Sequence, residues 1–139
     1  MVRVRECFRH ISRGLDMVTP DASVDQVIAS VTHDSTSRAV FVVDETHRLL
    51  GIISVREILA VLGWQYLPDR EFGTTRELLA MRAADLMGPP YWVSPDDDIQ
   101  AGLRLAVQHD LYDIPVVEDG RVIGNLDCLE IIVHCRPPG

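Results

Sequence analysis

Apolar and polar positions alternate along the chain in two rhythms. Val24, Val27, Ile28 and Val31 recur at i, i+3, i+4 and i+7, one face of an amphipathic helix. Ser23-x-x-Gln26 opens that helix as a capping box, and His33-Asp34-Ser35-Thr36-Ser37 closes it. Ala39-Val40-Phe41-Val42-Val43 is an unbroken apolar run, which predicts a strand buried on both faces. Asp44-Glu45-Thr46-His47 reads as a turn and Arg48 to Ile53 as the partner strand. At Gly51-Ile52-Ile53-Ser54 the rhythm changes back to helical. Val55, Ile58, Leu59 and Leu62 share a face, so a second helix starts at Ser54 and reaches about Gly63.

The same order returns about 75 residues later. Val93-Ser94-Pro95-Asp96 repeats Val18-Thr19-Pro20-Asp21, and His109-Asp110 repeats His33-Asp34. Ile99, Leu103, Ala106 and Val107 form the helical face between them. Ile114-Pro115-Val116-Val117 matches Val40-Phe41-Val42-Val43. Glu118-Asp119-Gly120-Arg121 is a hairpin turn whose glycine suits positive φ. Gly124 then matches Gly51, and Cys128, Ile131, Ile132 and Cys135 form the last helical face. The period exceeds that of solenoid units, so the pattern is a duplicated half-domain rather than an array.

Each unit therefore reads strand, helix, strand, strand, helix. The expected divisions are an N-terminal helical segment 1–16, unit one at 17–64, a connecting helical segment 65–88, unit two at 89–135 and a tail 136–139. The N-terminal helix would run from Arg5 to Leu15, end near Gly14 and pack Phe8 and Ile11. In the connection, Thr74-x-x-Glu77 caps a helix through Leu78, Leu79 and Met81. Ala83 to Met87 continues it or starts a short helix, and Gly88-Pro89-Pro90 stops it.

Composition narrows the function. An apolar fraction of 47% supports a real core. A net charge of -8 argues against nucleic acid and against anionic membrane surfaces. The start lacks the apolar core of a signal peptide, and no run approaches a membrane span. Three widely spaced cysteines, Cys7, Cys128 and Cys135, without a C-x-x-C pair, read as reduced thiols in a cytoplasm. Cys128 and Cys135 read as small core residues, and no metal site is expected.

These residues resemble the CBS domain, named after cystathionine β-synthase, and a pair of them resembles the Bateman module. The likeness rests on Met17-Val18-Thr19-Pro20 and Leu86-Met87 leading into the units, on Ile114-Pro115-Val116-Val117, and on the Gly-x-x-Ser corner at Gly51. It spans residues 15–135 or so. The resemblance implies an α/β (α+β) fold of two pseudo-twofold-related β-α-β-β-α units, with helices on one face of each small sheet. It also implies two clefts that take AMP, ADP, ATP or S-adenosylmethionine, a homodimer, and a separate protein that is regulated. No enzyme activity and no permanent cofactor is implied.

The family's corner motif is Gly-x-x-Thr/Ser-x-x-Asp, with the hydroxyl near phosphate and the Asp on the ribose. A helix N-terminus offers unpaired N–H groups to phosphate, and a carboxylate can accept both hydrogens of a cis-diol. By that resemblance, Ser54 and Arg56 meet phosphate, Glu57 holds the ribose, and Thr19, Val40, Phe41 and Val42 line the adenine slot. In unit two the corresponding set is Ser94, Ile114, Pro115, Val116, Asp127 and Glu130. Asp127 replaces the hydroxyl there, and its charge beside a phosphate costs on the order of 1 kcal/mol or more. Unit one is therefore the better nucleotide site. Unit two suits adenosine, a sulfonium ligand, a metal ion or nothing.

Each candidate also has a plainer role. Ser54-x-x-Glu57 is itself a capping box and Asp127-x-x-Glu130 a close variant; a Glu57 folded back onto its cap cannot also hold a ribose. His33 and His109 suit helix C-terminal dipoles better than a metal pair. His134 and Cys135 are helix neighbours that point apart. Asp96-Asp97-Asp98 reads as a solvated helix N-terminus rather than a divalent-ion site. Trp64 and Tyr66 either cover a dimer surface or lie over helix ends. No catalytic motif is present. The leading expectation is a ligand-binding regulatory module that works mainly through unit one. The alternative is a dimerisation scaffold that binds no nucleotide and at most a divalent cation.

Overall fold

Two three-stranded sheets carry the fold. The computed structural model describes residues 2–11, 16–34, 37–66 and 75–138. The strands are β1 (Arg9–His10), β2 (Met17–Val18), β3 (Ala39–Val43), β4 (Leu49–Ser54), β5 (Asp113–Glu118) and β6 (Arg121–Asp127). The helices are α1 (Val24–Thr32), α2 (Val55–Gly63), α3 (Thr75–Ala80), α4 (Ala83–Leu86), α5 (Ile99–His109) and α6 (Cys128–Cys135), with 3-10 turns at Val4–Glu6 and Trp64–Tyr66. One sheet has the order β2-β3-β4, with β2 parallel and β4 antiparallel to β3; the other has the order β1-β6-β5. The two units share a register: Ala39 pairs with Ser54, and Asp113 with Asp127.

Local chemistry sets these elements. Ser23 and Gln26 close the expected capping box on α1. The β5–β6 hairpin turns on Asp119 and Gly120, both at positive φ (53° and 78°), as a primed turn requires. β3 is buried on both faces, as its apolar run predicts. Val40 and Val42 join Val27, Ile53, Ile58 and Val61 beneath the helices. Phe41 and Val43 join Met17, Ile52, Val117 and Val122 in a second layer, where the two sheets face each other. Burying each such side chain contributes roughly 1.5–3 kcal/mol. No helix among the described residues is long and apolar enough to cross a membrane.

Two expectations need correction. The first is the helix over Arg5–Leu15. Val4–Glu6 is a single 3-10 turn, and Arg9–His10 is a strand that pairs with Asn125 and Gly124 of β6. The Gly14 end of that helix and the Thr74 cap lie outside the described residues. The strand forms because Gly124 leaves room for it. A Cβ there would lie 2.3 Å from the Phe8 ring and 2.6 Å from the Arg9 carbonyl oxygen. Gly51 does the same for the other unit, where a Cβ would meet Gly88 O at 2.6 Å and Met87 Sδ at 2.7 Å.

The segments leading into the units are thus exchanged crosswise. Residues 4–10 dock on unit two, with Val4 and Arg5 N–H groups donating to Asp97 and Pro95 carbonyls. Residues 83–88 dock on unit one, through Ala83 and Ala84 to Ala22 and Pro20.

The second correction concerns helix faces. α2 buries Ile58 and Val61, leaving Leu59 63% exposed. α5 buries Ile99 and Gly102, not Leu103 and Val107. α6 buries Ile131 and exposes Leu129, Ile132 and Val133. These helices carry two overlapping apolar stripes, and periodicity does not say which one meets the sheet. In α5 the choice falls on Gly102, which lies where a Cβ would come within 2.6 Å of Leu126 Cδ2.

Candidate functional site

The first corner lies where β4 passes into α2. Ser54 is the helix N-cap in extended conformation. Its backbone N–H donates to Glu57 Oε2 at 3.0 Å, and its hydroxyl donates to the same oxygen. Glu57 is therefore folded back onto the cap. Beyond it, Arg56 reaches across to unit two, with Nη1 2.9 Å from Asp110 Oδ2. Asp110 caps α5 in the left-handed region, at φ 57°. Ser54, Val55, Arg56 and Leu59 on one side and Asp110 and Tyr112 on the other enclose a cleft of about 260 Å³. The cleft thus spans both units and opens on the N-terminus of α2.

The other residues expected in an adenine slot lie elsewhere. Val40 and Val42 have no exposed surface and face the helices; Phe41 faces the partner sheet. None of these side chains lines a cleft, because β3 is the central strand of its sheet. Thr19 follows β2 at the far end of β3 from Ser54, since Val18 pairs with Val42 whereas Ser54 pairs with Ala39. Its hydroxyl donates to Asp21 at 2.5 Å, and it lines a separate cleft of about 380 Å³ with Met17, Val18 and Gln26. Unit two behaves likewise. Ile114, Pro115 and Val116 are fully buried, and Ser94 lies in a third cleft, about 570 Å³, with Arg48, Trp92 and Glu118.

The second corner is built differently. Asp127 Oδ1 accepts the Leu129 N–H at 2.7 Å and caps α6 alone. Glu130 does not close a box with it; its Oε2 lies 3.3 Å from His134 Nε2. The position of Arg56 is taken by Leu129, so α6 itself brings no cation here, whereas Arg38 of unit one lies near enough to draw down in part the Cys128 thiol and the Asp113 carboxyl, which burial raises. A further carboxylate, Asp113, lies opposite Asp127 in the ladder and is 1% exposed. Its Oδ2 accepts the Arg38 N–H of unit one at 2.6 Å. The Asn125 side chain lies beside the carboxyl and holds it down in part, while Asn125 Oδ1 is buried without a partner. Burial, with Asp127 adding to it, pushes the Asp113 carboxyl up to about 6. Only an Asp at the head of an apolar strand, where the repeat has Ala39, signals this group in sequence.

The remaining candidates fill structural roles. His33 lies 3.1 Å from Asp16 Oδ1, and His109 stacks on Tyr91 at 3.7 Å. Asp98 caps α5, Asp97 accepts the Ser94 N–H, and Asp96 pairs with Arg5. Trp64 packs on the first core while Tyr66 is exposed.

Comparison with known proteins follows this geometry closely. The family profile of the CBS domain matches twice, at residues 4–63 and 83–134, which is most of the chain. The chain is a CBS-domain protein. Its two units form a CBS pair, a module that is typically regulatory. The profile boundaries include residues 4–10 and 83–88, the two exchanged segments. No functionally curated protein matches the sequence.

Among solved structures, a CBS domain-containing protein from Thermotoga maritima is similar at TM-score 0.77 and 26% identity, covering 96% of this chain and 93% of that one. CBSX2, a CBS-pair protein of Arabidopsis thaliana, in complex with AMP is similar at 0.72 and 24%, over 96% and 95%. The CBS domain of a bacterial CNNM/CorC family Mg2+ transporter in complex with ATP is similar at 0.69 and 18%, over 94% and 84%.

Proposed function

We propose that this CBS pair is a ligand-sensing module that binds an adenosine-containing ligand, AMP, ADP, ATP or S-adenosylmethionine, in the cleft at the first corner. The observation that carries the reading is the joint contribution of both units to that cleft. The Arg56 guanidinium and the Ser54 hydroxyl at the start of α2 offer donors to phosphate, although the Val55 N–H is already bonded to the Arg38 carbonyl. Asp110 and Tyr112 form the opposite wall, so a ligand there touches both units and biases their relative position. Structurally similar proteins solved with AMP and with ATP support the ligand class.

Two local changes accompany binding. Phosphate competes with Asp110 for Arg56, and this exposed ion pair contributes little that must be given up. The ribose draws Glu57 off the Ser54 cap, exchanging one set of carboxylate hydrogen bonds for another. Adenine lies against Val55, Leu59 and Tyr112, not against the buried β3 side chains. Unit two, with Asp127 and Leu129 at its corner, is the poorer site for a phosphate-bearing ligand.

The exposed apolar stripes of α2 and α6, Leu59 with Leu129, Ile132 and Val133, support a homodimer. A dimer of this kind would pass the ligand-dependent shift to a separate regulated protein.

Isothermal titration with the four ligands tests the proposal. The wild type should release or absorb heat with at least one, and Arg56→Ala should weaken a phosphate-bearing ligand by about tenfold or more. No heat from any ligand would overturn it. The scaffold reading rests on one observation, the closed Ser54–Glu57 cap. It predicts no thermal shift with any nucleotide.

A further inference from the structure

Among the described residues, one group of metal-ligating side chains comes together: Cys7, Glu130 and His134, whose ligand atoms all lie within 4.8 Å of one another. The group lies away from the cleft of the first corner. Glu130 and His134 stand one helical turn apart on α6, and Cys7 arrives from the N-terminal segment exchanged onto unit two. We propose that these three residues bind a divalent transition-metal ion of the Zn2+ class, with a solvent molecule completing the coordination.

The repeat shows that the cluster departs from what packing needs. Phe8 packs on Gly124 as Met87 packs on Gly51, so Cys7 corresponds to Leu86, and aligning the two glycines sets His134 against Val61. Leu86 and Val61 are both buried aliphatic members of the first core cluster. Unit two has a thiol and an imidazole at those positions. Glu130 corresponds to Glu57, which closes its own capping box. Asp127 caps α6 unaided, so Glu130 is released from that duty and turned to His134. Three departures from the repeat thus converge on one point.

The geometry and donor set fit the ion. Tetrahedral Zn2+ with N and O ligands at about 2.0–2.2 Å places those atoms about 3.3–3.5 Å apart. Glu130 Oε2 and His134 Nε2 are 3.3 Å apart. Thiolate, imidazole and carboxylate together select zinc-like ions over Mg2+ and Ca2+, which prefer oxygen. Without metal, burial and the nearby Glu130 and Glu6 carboxylates raise the Cys7 thiol pKa. A bound dication reverses that field, and Cys7 gives its proton to solvent on binding. Partial exposure of His134 leaves an open path for the ion and its water.

The test is a Co2+ titration of the full, reduced chain followed by absorbance, with Zn2+ as competitor. One equivalent of Co2+ should produce a thiolate-to-cobalt charge-transfer band, and Zn2+ should abolish it. Cys7→Ala should remove the band while far-UV circular dichroism stays unchanged. His134→Ala and Glu130→Gln should each weaken binding by more than the roughly 10–100-fold typical of a lost second-shell partner. Cys128→Ala, outside the group, should retain it. Absence of the band in wild type, its survival in Cys7→Ala, or its loss in Cys128→Ala would overturn the proposal.

Discussion

Asp113→Asn should stabilise the protein at neutral pH. In the native state the Asp113 carboxyl keeps its proton to about pH 6, against an ordinary value of 3.8. Between those values the folded chain binds more protons than the unfolded chain, so stability falls as pH rises through that window. Above about pH 6 the full deficit is present. The two pKa values differ by about two units, which corresponds to roughly 3 kcal/mol for so buried a group.

Asparagine removes that charge and keeps an acceptor for the Arg38 N–H, 2.6 Å away. Its amide oxygen also keeps an acceptor for the Asn125 side chain, which hydrogen-bonds the carboxylate in the wild type. The expected gain at pH 7.5 is about 1–3 kcal/mol, or a rise in Tm of roughly 2–8 °C or more. The assay is urea unfolding of both proteins from pH 4 to 8, read as the difference between them. That difference should be largest above pH 6 and shrink as pH falls toward 4. A variant that is less stable than wild type by a constant amount at every pH would refute the reasoning. So would a gap that widens on acidification.

Three other substitutions probe separate parts of the account. Gly124→Ala forces a methyl group into the Phe8 ring and the Arg9 carbonyl, and should cost about 1–3 kcal/mol in urea unfolding. Because it displaces the exchanged segment, it should also raise hydrogen exchange at residues 4–10. Asp110→Asn tolerates the left-handed backbone, frees Arg56 and removes a negative charge from the cleft, so AMP should bind about fivefold tighter by titration calorimetry. Leu59→Asp combined with Ile132→Asp places charge on both exposed apolar helix faces. In light scattering after size exclusion, it should reduce a dimeric wild type to monomer without loss of helicity.

Much of the architecture was legible in the sequence because duplication doubles the signal. The double burial of β3, the Asp119-Gly120 turn and the Ser23 and Ser54 caps follow from residue types at fixed offsets. What sequence could not show depends on pieces distant along the chain. The segment from Arg5 reads as helical on its own, yet Arg9 to Ile11 pair with β6 more than a hundred residues away, through room that Gly124 provides. Helix faces were misplaced where two apolar stripes overlap, as at Leu59 beside Ile58 and Val107 beside Ala106.

The first corner was readable in part. Ser54 and Arg56 stand together at one cleft, but its far wall, Asp110 and Tyr112, belongs to the other unit, and no local motif announces it. The conspicuous apolar run points Val40 and Val42 to the slot. The same run makes β3 a central strand and buries them. The cluster at Cys7 was invisible for the opposite reason: its thiol and its two helical ligands are separated by most of the chain.

The central claim is that an adenosine ligand occupies the cleft between the start of α2 and the Asp110–Tyr112 wall. A crystal structure of the chain grown with saturating AMP, ATP or S-adenosylmethionine tests it most directly. The account predicts ligand density in contact with Ser54 and Arg56, with the Arg56–Asp110 pair broken for a phosphate-bearing ligand. Density confined to the other clefts, or none with all three ligands, would contradict it.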